Sequence, residues 1–442
     1  MEVTIERILP GGFGLAHAEG KTLMVALAAP GDRLRVRVER VKGTVGFASV
    51  IEVLEPSPMR TAPPCPYFGR CGGCDFQQLT YEAQLSAKAE IIRDCLHRIG
   101  RIDTVPDFNI TPAPNQWRYR SRAQWQYDSV RQRLGYFESA SRSVCDVSEC
   151  AVLVPELQQT LEALRHEMSE GQLPDDARYF RAVAGDQGVA VAPDVRSPTN
   201  RGPHASISRG VVDREGQMRD ISRSINGETY KLNAESFFQT NIDLVPQLIE
   251  AAIGDSSGEI AIELYSGVGL FTLPLSRRFK RVTAVEENRD AVSFARENLA
   301  DAGLVNAEVV TSDVAAWFES DLECGGRVPM YRERRFGSTS PDVSQNLEGV
   351  QNEGSIQSAV RAGALQIDFL LLDPPRAGAE SRVIGGILQL KPKQICYVSC
   401  DPATLARDLQ KLIAGGYSLD SLNAFDMFPQ THHVETVVHL GL

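Results

Sequence analysis

Two side chains late in the sequence, Cys400 and Glu435, have the types and settings that nucleophilic and acid–base chemistry require. Cys400 follows the apolar, β-branched run Ile395–Val398 and stands directly before Asp401-Pro402, which breaks the strand and opens a helix. A thiol at the carboxyl end of a buried strand lies at the edge where open α/β sheets bind ligands, and a helix start beyond it favours the thiolate. The ordinary alternative is a small buried hydrophobe, which is what free cysteines usually are. Glu435 stands at the mouth of the run Thr436-Val437-Val438, where burial raises a carboxyl toward the general-base range. A structural acid paired elsewhere is the alternative there.

A second group of residues suits a nucleoside cofactor. Glu263-Leu264-Tyr265-Ser266-Gly267-Val268-Gly269 ends one strand in a glycine turn, and Glu286 ends the next, about 20 residues on, where an acid holds ribose hydroxyls. Two glycines without a third point to S-adenosylmethionine rather than to NAD, whose pyrophosphate needs a longer glycine loop. Asp373-Pro374-Pro375-Arg376 presents a carboxylate preset by prolines at a strand end. In methyltransferases acting on adenine the corresponding motif ends in an aromatic ring; this one ends in arginine.

Nine cysteines in a chain without an export signal argue against a disulfide framework. Cys65, Cys71 and Cys74 flank a Gly72-Gly73 turn, and Cys145 and Cys150 follow downstream, so thiolates from both segments can close one metal centre. Four thiolates suit zinc or an iron–sulfur cluster alike, and the wide gap between Cys65 and Cys71 disfavours a radical enzyme. Arg118, Arg120 and Arg122 alternate with Trp117 and Tyr119, offering cations for phosphates and rings for unpaired bases. Arg33, Arg35 and Arg37 share one strand face, either a backbone-binding surface or a solvated one.

The elements that must position these residues fall into three regions. Residues 1–58 read as a small β-barrel of OB type, with strands over Val3–Ile8, Lys21–Ala26, Arg33–Val38 and Gly46–Val53 between turn signals. Residues 59–230 read as a central α+β domain that holds the cysteines and a helix over Thr80–Ile99. Residues 231–442 alternate strand and helix. The strands Glu259–Leu264, Arg281–Val285, Ala307–Val310, Ile367–Leu372, Ile395–Ser399, Leu422–Met427 and Glu435–Leu440 predict a doubly wound, Rossmann-like, seven-stranded sheet. No helix is expected between the last two, so they predict an antiparallel, hairpin-like end. Residues 324–363, rich in Gly, Ser, Gln and Asn, read as a surface insertion. Net charge is −11, which speaks against indiscriminate nucleic-acid binding, and no apolar run nears the roughly 20 residues of a membrane span. A cytoplasmic, membrane-free monomer is expected.

Five motifs in order, Phe237-Phe238-Gln239-Thr240-Asn241, the Glu263–Gly269 turn, Leu372–Gly378, Tyr397–Leu405 and Asp426–Glu435, resemble the RNA 5-methyluridine methyltransferase family. The Cys65, Cys71, Cys74 and Cys150 spacing resembles its iron–sulfur branch, which carries an N-terminal TRAM domain of OB type. The resemblance implies that those four cysteines hold a four-iron, four-sulfur (4Fe-4S) cluster, with Cys145 left over. It implies that Gln239, Tyr265, Gly267, Gly269, Glu286, Asp313 and Asp373 contact S-adenosylmethionine. Cys400 is then the nucleophile that adds to C6 of uracil, and Glu435 the base that removes the C5 proton. Ribosomal 23S RNA is the substrate this resemblance favours, with transfer RNA second. Ser266 and Leu270 depart from commoner residues of the family, and neither removes a catalytic group. A non-catalytic RNA-binding assembly factor and an adenine or small-molecule methyltransferase are the competing readings, disfavoured by the intact Cys400 and Glu435 and by Arg376.

Overall fold

The computed structural model describes residues 1–195, 220–323 and 366–442; the insertion expected over 324–363 lies outside the described residues. At its centre is an eight-stranded sheet in the order Ala307–Thr311, Phe279–Glu286, Gly258–Leu264, Phe369–Leu372, Gln394–Ser399, Glu435–Gly441, Ser418–Phe425, Ile110–Thr111. The first five of these run parallel, as strands read from near-continuous apolar runs should when helices cover both faces. Alternation within the runs sorts the side chains to two cores. Ile260, Ile262, Leu264, Leu370, Leu372, Ile395 and Tyr397 join one face with the helices Tyr81–Arg98, Ser381–Leu390 and Pro402–Ala414. Ala261, Phe369, Leu371, Cys396 and Val398 join the other, with the helices Val245–Ile253 and Arg289–Asp301.

The seven predicted strands are present, and an eighth comes from an earlier part of the chain. Ile110 and Thr111 pair in parallel with Ala424 and Phe425. Two residues beside a proline carry no periodicity, so this strand has no local signature. The last two predicted strands do pair antiparallel, but Glu435–Gly441 lies inside the sheet, between Gln394–Ser399 and Ser418–Phe425.

Ahead of this sheet, residues 2–55 form a six-stranded sheet in which the run Val3–Ile8 is split into Glu2–Thr4 and Arg7–Ile8. Arg33, Arg35 and Arg37 share a face, and acids on the same sheet compensate them. Arg33 meets Glu55 at 2.5 Å and Glu2 at 3.1 Å, Arg35 meets Glu2 at 3.2 Å and also Glu52, and Arg37 meets Glu39 at 3.0 Å. A further five-stranded antiparallel sheet, Val144–Asp146, Arg133–Phe137, Arg122–Asp128, Ala177–Gly185 and Gly188–Val195, packs on the helix Pro155–Ser169 through Trp125, Leu134, Leu157, Leu161 and Phe180. Thr80 caps the helix Tyr81–Arg98, its Oγ1 accepting from Ala83 N at 3.3 Å.

The iron–sulfur centre expected in the middle region is corrected by the geometry. Cys65, Cys71, Cys74 and Cys150 do border one cavity, shared with Arg120 and Tyr136, but its volume of about 30 Å³ is room for a water or two. Among the described residues, no group of three or more Cys, His, Asp or Glu is placed to hold a metal ion. Burial pushes the Cys71 thiol up to about 11 and the Cys74 thiol up to about 12, and raises Cys150. The central region is therefore an α+β layer without a metal subdomain, and all four cysteines are free.

Candidate active site

The carboxyl ends of Gly258–Leu264, Phe279–Glu286, Phe369–Leu372 and Gln394–Ser399 open into a cleft of about 1260 Å³. Its walls bring together Gln239, Tyr265, Gly267, Glu286, Asp313, Asp373, Cys400 and Glu435, with Arg120 and Arg122 reaching in from the middle sheet. Of the residues predicted for catalysis, cofactor and RNA, two are not in that wall. Gly269 sits at φ 91° behind the turn, its N–H donating to Ser266 O at 2.9 Å. Arg118 is exposed, and its backbone N–H donates to Ala151 O at 3.0 Å.

In the glycine turn, Tyr265, Gly267 and Gly269 all take left-handed backbone conformations, with φ of 65°, 55° and 91°. For Tyr265 that conformation is strained, a cost that is tolerated where surrounding structure fixes it. Here the N–H groups of Tyr265 and Ser266 both donate to Val285 O, at 2.9 and 3.1 Å. Glu286 ties the turn to the next strand end, one oxygen accepting from Gly267 N at 2.9 Å and the other from Asn288 N at 2.8 Å. Each oxygen keeps a lone pair for a ligand. Beneath the turn, the buried Glu263 accepts from Thr272 Oγ1 at 2.5 Å, and burial pushes its carboxyl up to about 8.

Cys400 and Glu435 are brought together by strand register. Ser399 pairs with Thr436 on the neighbouring antiparallel strand, and Thr436 Oγ1 donates to Ser399 O at 2.9 Å. The next positions outward are Cys400 and Glu435. Burial and then the Glu435 charge push the Cys400 thiol up to about 12, while the nearby Arg376 charge pulls the other way. Burial, then Asp373, holds the Glu435 carboxyl well above the usual carboxylate range, again opposed by Arg376. Asp373 is itself pushed up to about 7 by burial. The helix start beyond Cys400 does not depress the thiol, because Asp401 Oδ1 already accepts from Ala403 N and Thr404 N, both at 2.9 Å.

The loops bearing these groups are pinned from behind. Asp408 Oδ2 accepts from Ala379 N and from Tyr397 OH, both at 2.9 Å, which fixes the loop after Asp373. The segment leading to Glu435 is held by residues far earlier in the chain. Lys88 forms a buried ion pair with Asp426 and donates to Phe428 O at 3.1 Å. Gln84 and Gln430 exchange hydrogen bonds at 2.9 and 3.0 Å, and Tyr119 OH donates to Pro429 O at 2.9 Å. Asp75 takes the His432 backbone N–H at 2.9 Å and its Nδ1 at 2.5 Å.

Of the three predicted RNA-binding arginines, two serve the protein itself. Arg120 Nε donates to Arg122 O at 3.0 Å, and Arg122 donates to Ala234 O at 2.9 Å and to Ser236 O. Sequence reasoning did not assign Arg376 or His433 to the site, although both lie inside motifs it quoted. It also left out Arg181, Gln124 and the exposed Phe237, which line the same cleft.

An open α/β sheet with a glycine turn, an acid closing the second strand and a Cys–Glu pair at its carboxyl edge defines a nucleoside-cofactor transferase fold. Comparison places it further. Residues 208–316 and 339–441 match the family model described as tRNA (Uracil-5-)-methyltransferase, and residues 1–59 match the TRAM domain of tRNA (uracil(54)-C(5))-methyltransferase. The 23S rRNA (uracil(1939)-C(5))-methyltransferase RlmD of Pectobacterium atrosepticum is 31% identical, over 99% of this chain and 92% of that protein. An uncharacterized RNA methyltransferase of Thermotoga maritima is 30% identical, over 99% and 98%. The crystal structure of Pyrococcus abyssi tRNA (uracil-54, C5)-methyltransferase, in complex with S-adenosyl-L-homocysteine, superposes with a TM-score of 0.68 at 25% identity over the whole of both chains. The chain belongs to the RNA uracil-C5 methyltransferase family and is an RNA (uracil-C5)-methyltransferase. No helix among the described residues is long and apolar enough to cross a membrane.

Proposed function

We propose that the protein methylates C5 of a uridine in transfer RNA, using S-adenosylmethionine, through a covalent bond between Cys400 and C6 of the base. The observation that carries the mechanism is the register that brings Cys400 and Glu435 to one sheet edge, with Arg376 and Asp373 acting on both in the same cleft. Transfer RNA is favoured by the matched family model and by the substrate named for the Pyrococcus abyssi enzyme. The RlmD relatives of Pectobacterium atrosepticum and Alkalilimnicola ehrlichii support 23S rRNA as the second reading.

The residues present fit the cofactor. Buried carboxyls at Asp373 and Glu435, both held above their ordinary range, suit a ligand that carries positive charge. Gln239, Tyr265, Gly267, Glu286, Asp313 and Asp373 would hold it, and Gly269 would shape the turn beneath it. When bound, S-adenosylmethionine supplies a methyl group on a cationic sulfonium.

In the reaction the Cys400 thiol gives its proton to solvent, which the Arg376 charge favours, and the thiolate sulfur adds to C6 of the uracil. The electron pair released into the ring makes C5 nucleophilic, and C5 would take the methyl as its bond to the sulfonium breaks, the bonding pair staying on sulfur and leaving a neutral thioether. Glu435 becomes more basic once the sulfonium charge is gone, and takes the proton still on C5. The C6–S bond then breaks, restoring the ring double bond and Cys400. The test uses methyl-labelled S-adenosylmethionine with 5-fluorouridine-substituted transfer and ribosomal RNA. Fluorine at C5 cannot leave as a proton, so a labelled, denaturation-resistant adduct at Cys400 is expected with transfer RNA. An adduct formed with ribosomal RNA alone selects the second reading, and none with either RNA overturns the mechanism.

A further inference from the structure

His433 is a cleft residue that the reaction above does not use. Its ring borders the same cavity as Cys400, Arg376 and Glu435. The ring is held in place by stacking: its centroid lies 4.1 Å from that of His432, at an interplanar angle of 37°, and Phe428 meets it edge-on at 6.1 Å. His432 is in turn pinned by Asp75 at 2.5 Å. The His433 backbone N–H donates to Thr431 Oγ1 at 3.2 Å, but among the described residues neither ring nitrogen has a hydrogen-bond partner.

An imidazole fixed on one side and unpartnered at its polar edge is a preorganised hydrogen-bonding group. Burial, then the nearby His432 and Arg376, push its pKa down to about 3, so at neutral pH it is uncharged, with one N–H donor and one acceptor. Being neutral, it can sit beside Arg376 without repelling it. The reaction calls for a donor to the uracil oxygen, and the steps above assign none. Addition of sulfur at C6 moves charge through C5 and C4 onto O4, and a donor already aimed at that oxygen lowers the barrier without reorganisation.

From this placement we infer that His433 contacts the target base, donating its ring N–H to a carbonyl oxygen of the uracil as Cys400 adds. The inference rests on the reaction proposed above and assigns it one more residue. The test compares His433→Leu and His433→Gln, which both fill the space while only glutamine keeps a donor. Single-turnover adduct formation on 5-fluorouridine-substituted RNA is measured beside RNA and cofactor affinities and melting temperature. The leucine variant is expected to form adduct about 100-fold more slowly, with both affinities within about threefold of the unaltered protein, and the glutamine variant to recover at least about tenfold of that loss. A leucine variant within about threefold of the unaltered rate overturns the inference, and so does a glutamine variant as slow as leucine. No adduct with the unaltered protein overturns the underlying reaction and this inference with it.

Discussion

Cys400 directly follows Ser399 and Glu435 directly precedes Thr436, the partner of Ser399 on the neighbouring antiparallel strand, so backbone register carries nucleophile and base to the same edge of the sheet. Rigid strands hold such a pair better than loops do. Glu435→Gln should still add to the base and accept the methyl but not release it, so a methylated protein–RNA adduct accumulates on ordinary RNA. Turnover should fall by roughly 10²- to 10⁴-fold. Cys400→Ala should give no adduct at all, and a denaturing gel with labelled RNA separates the two outcomes.

Arg376 is the cation that works against burial at both Cys400 and Glu435. Replacing it with glutamine should raise the Cys400 thiol further and move the alkaline rise of adduct formation to higher pH. At pH 7.5 the rate should drop by at least about tenfold, because the thiolate share at a fixed pH falls tenfold for each pH unit that the titration moves upward. A pH–rate profile unchanged from the unaltered enzyme would contradict this.

The buried Lys88–Asp426 pair joins the helix Tyr81–Arg98 to the segment that ends in Glu435. Lys88→Met leaves Asp426 buried without its cation and should cost about 3–5 kcal/mol, read as a shift of the urea midpoint. Adding Asp426→Leu should restore most of that stability, because an apolar pair of similar volume replaces a desolvated charge pair at little cost.

Glu263 gives the fold a pH dependence of its own. Burial raises its carboxyl from 4.5 to about 8, so the folded protein keeps a proton that the unfolded chain has lost. Folding therefore takes up a proton between about pH 4.5 and 8, and stability falls as pH rises through that window. Glu263→Gln should flatten this slope in melting temperature measured from pH 5 to 9. A slope unchanged by the substitution would place its origin elsewhere.

What could be read from sequence follows the range of the physics involved. The strands that end in Cys400 and begin at Glu435 were legible because buried β runs are continuous and local, and Thr80 marked its helix start because capping acts over three residues. The alternation of Arg33, Arg35 and Arg37 was legible too, but not their neutralisation by Glu2, Glu52 and Glu55, which belong to other strands. Ile110–Thr111 and the Lys88–Asp426 pair had no local pattern at all. The cysteine cluster misled for a different reason: spacing shows that thiols can converge, but not how much room lies between them.

The position of Glu435–Gly441 inside the sheet bears on how the protein is made. On the ribosome, Gln394–Ser399 and Ser418–Phe425 emerge before the strand that must come to lie between them, so their facing edges stay unpaired until residues 435–441 arrive. Unpaired edges are where chains associate wrongly, and contacts spanning more than 300 residues, such as those of Gln84 with Gln430, close late. Because one segment both seals the sheet and carries the base, closing the sheet and placing Glu435 at its edge are a single event.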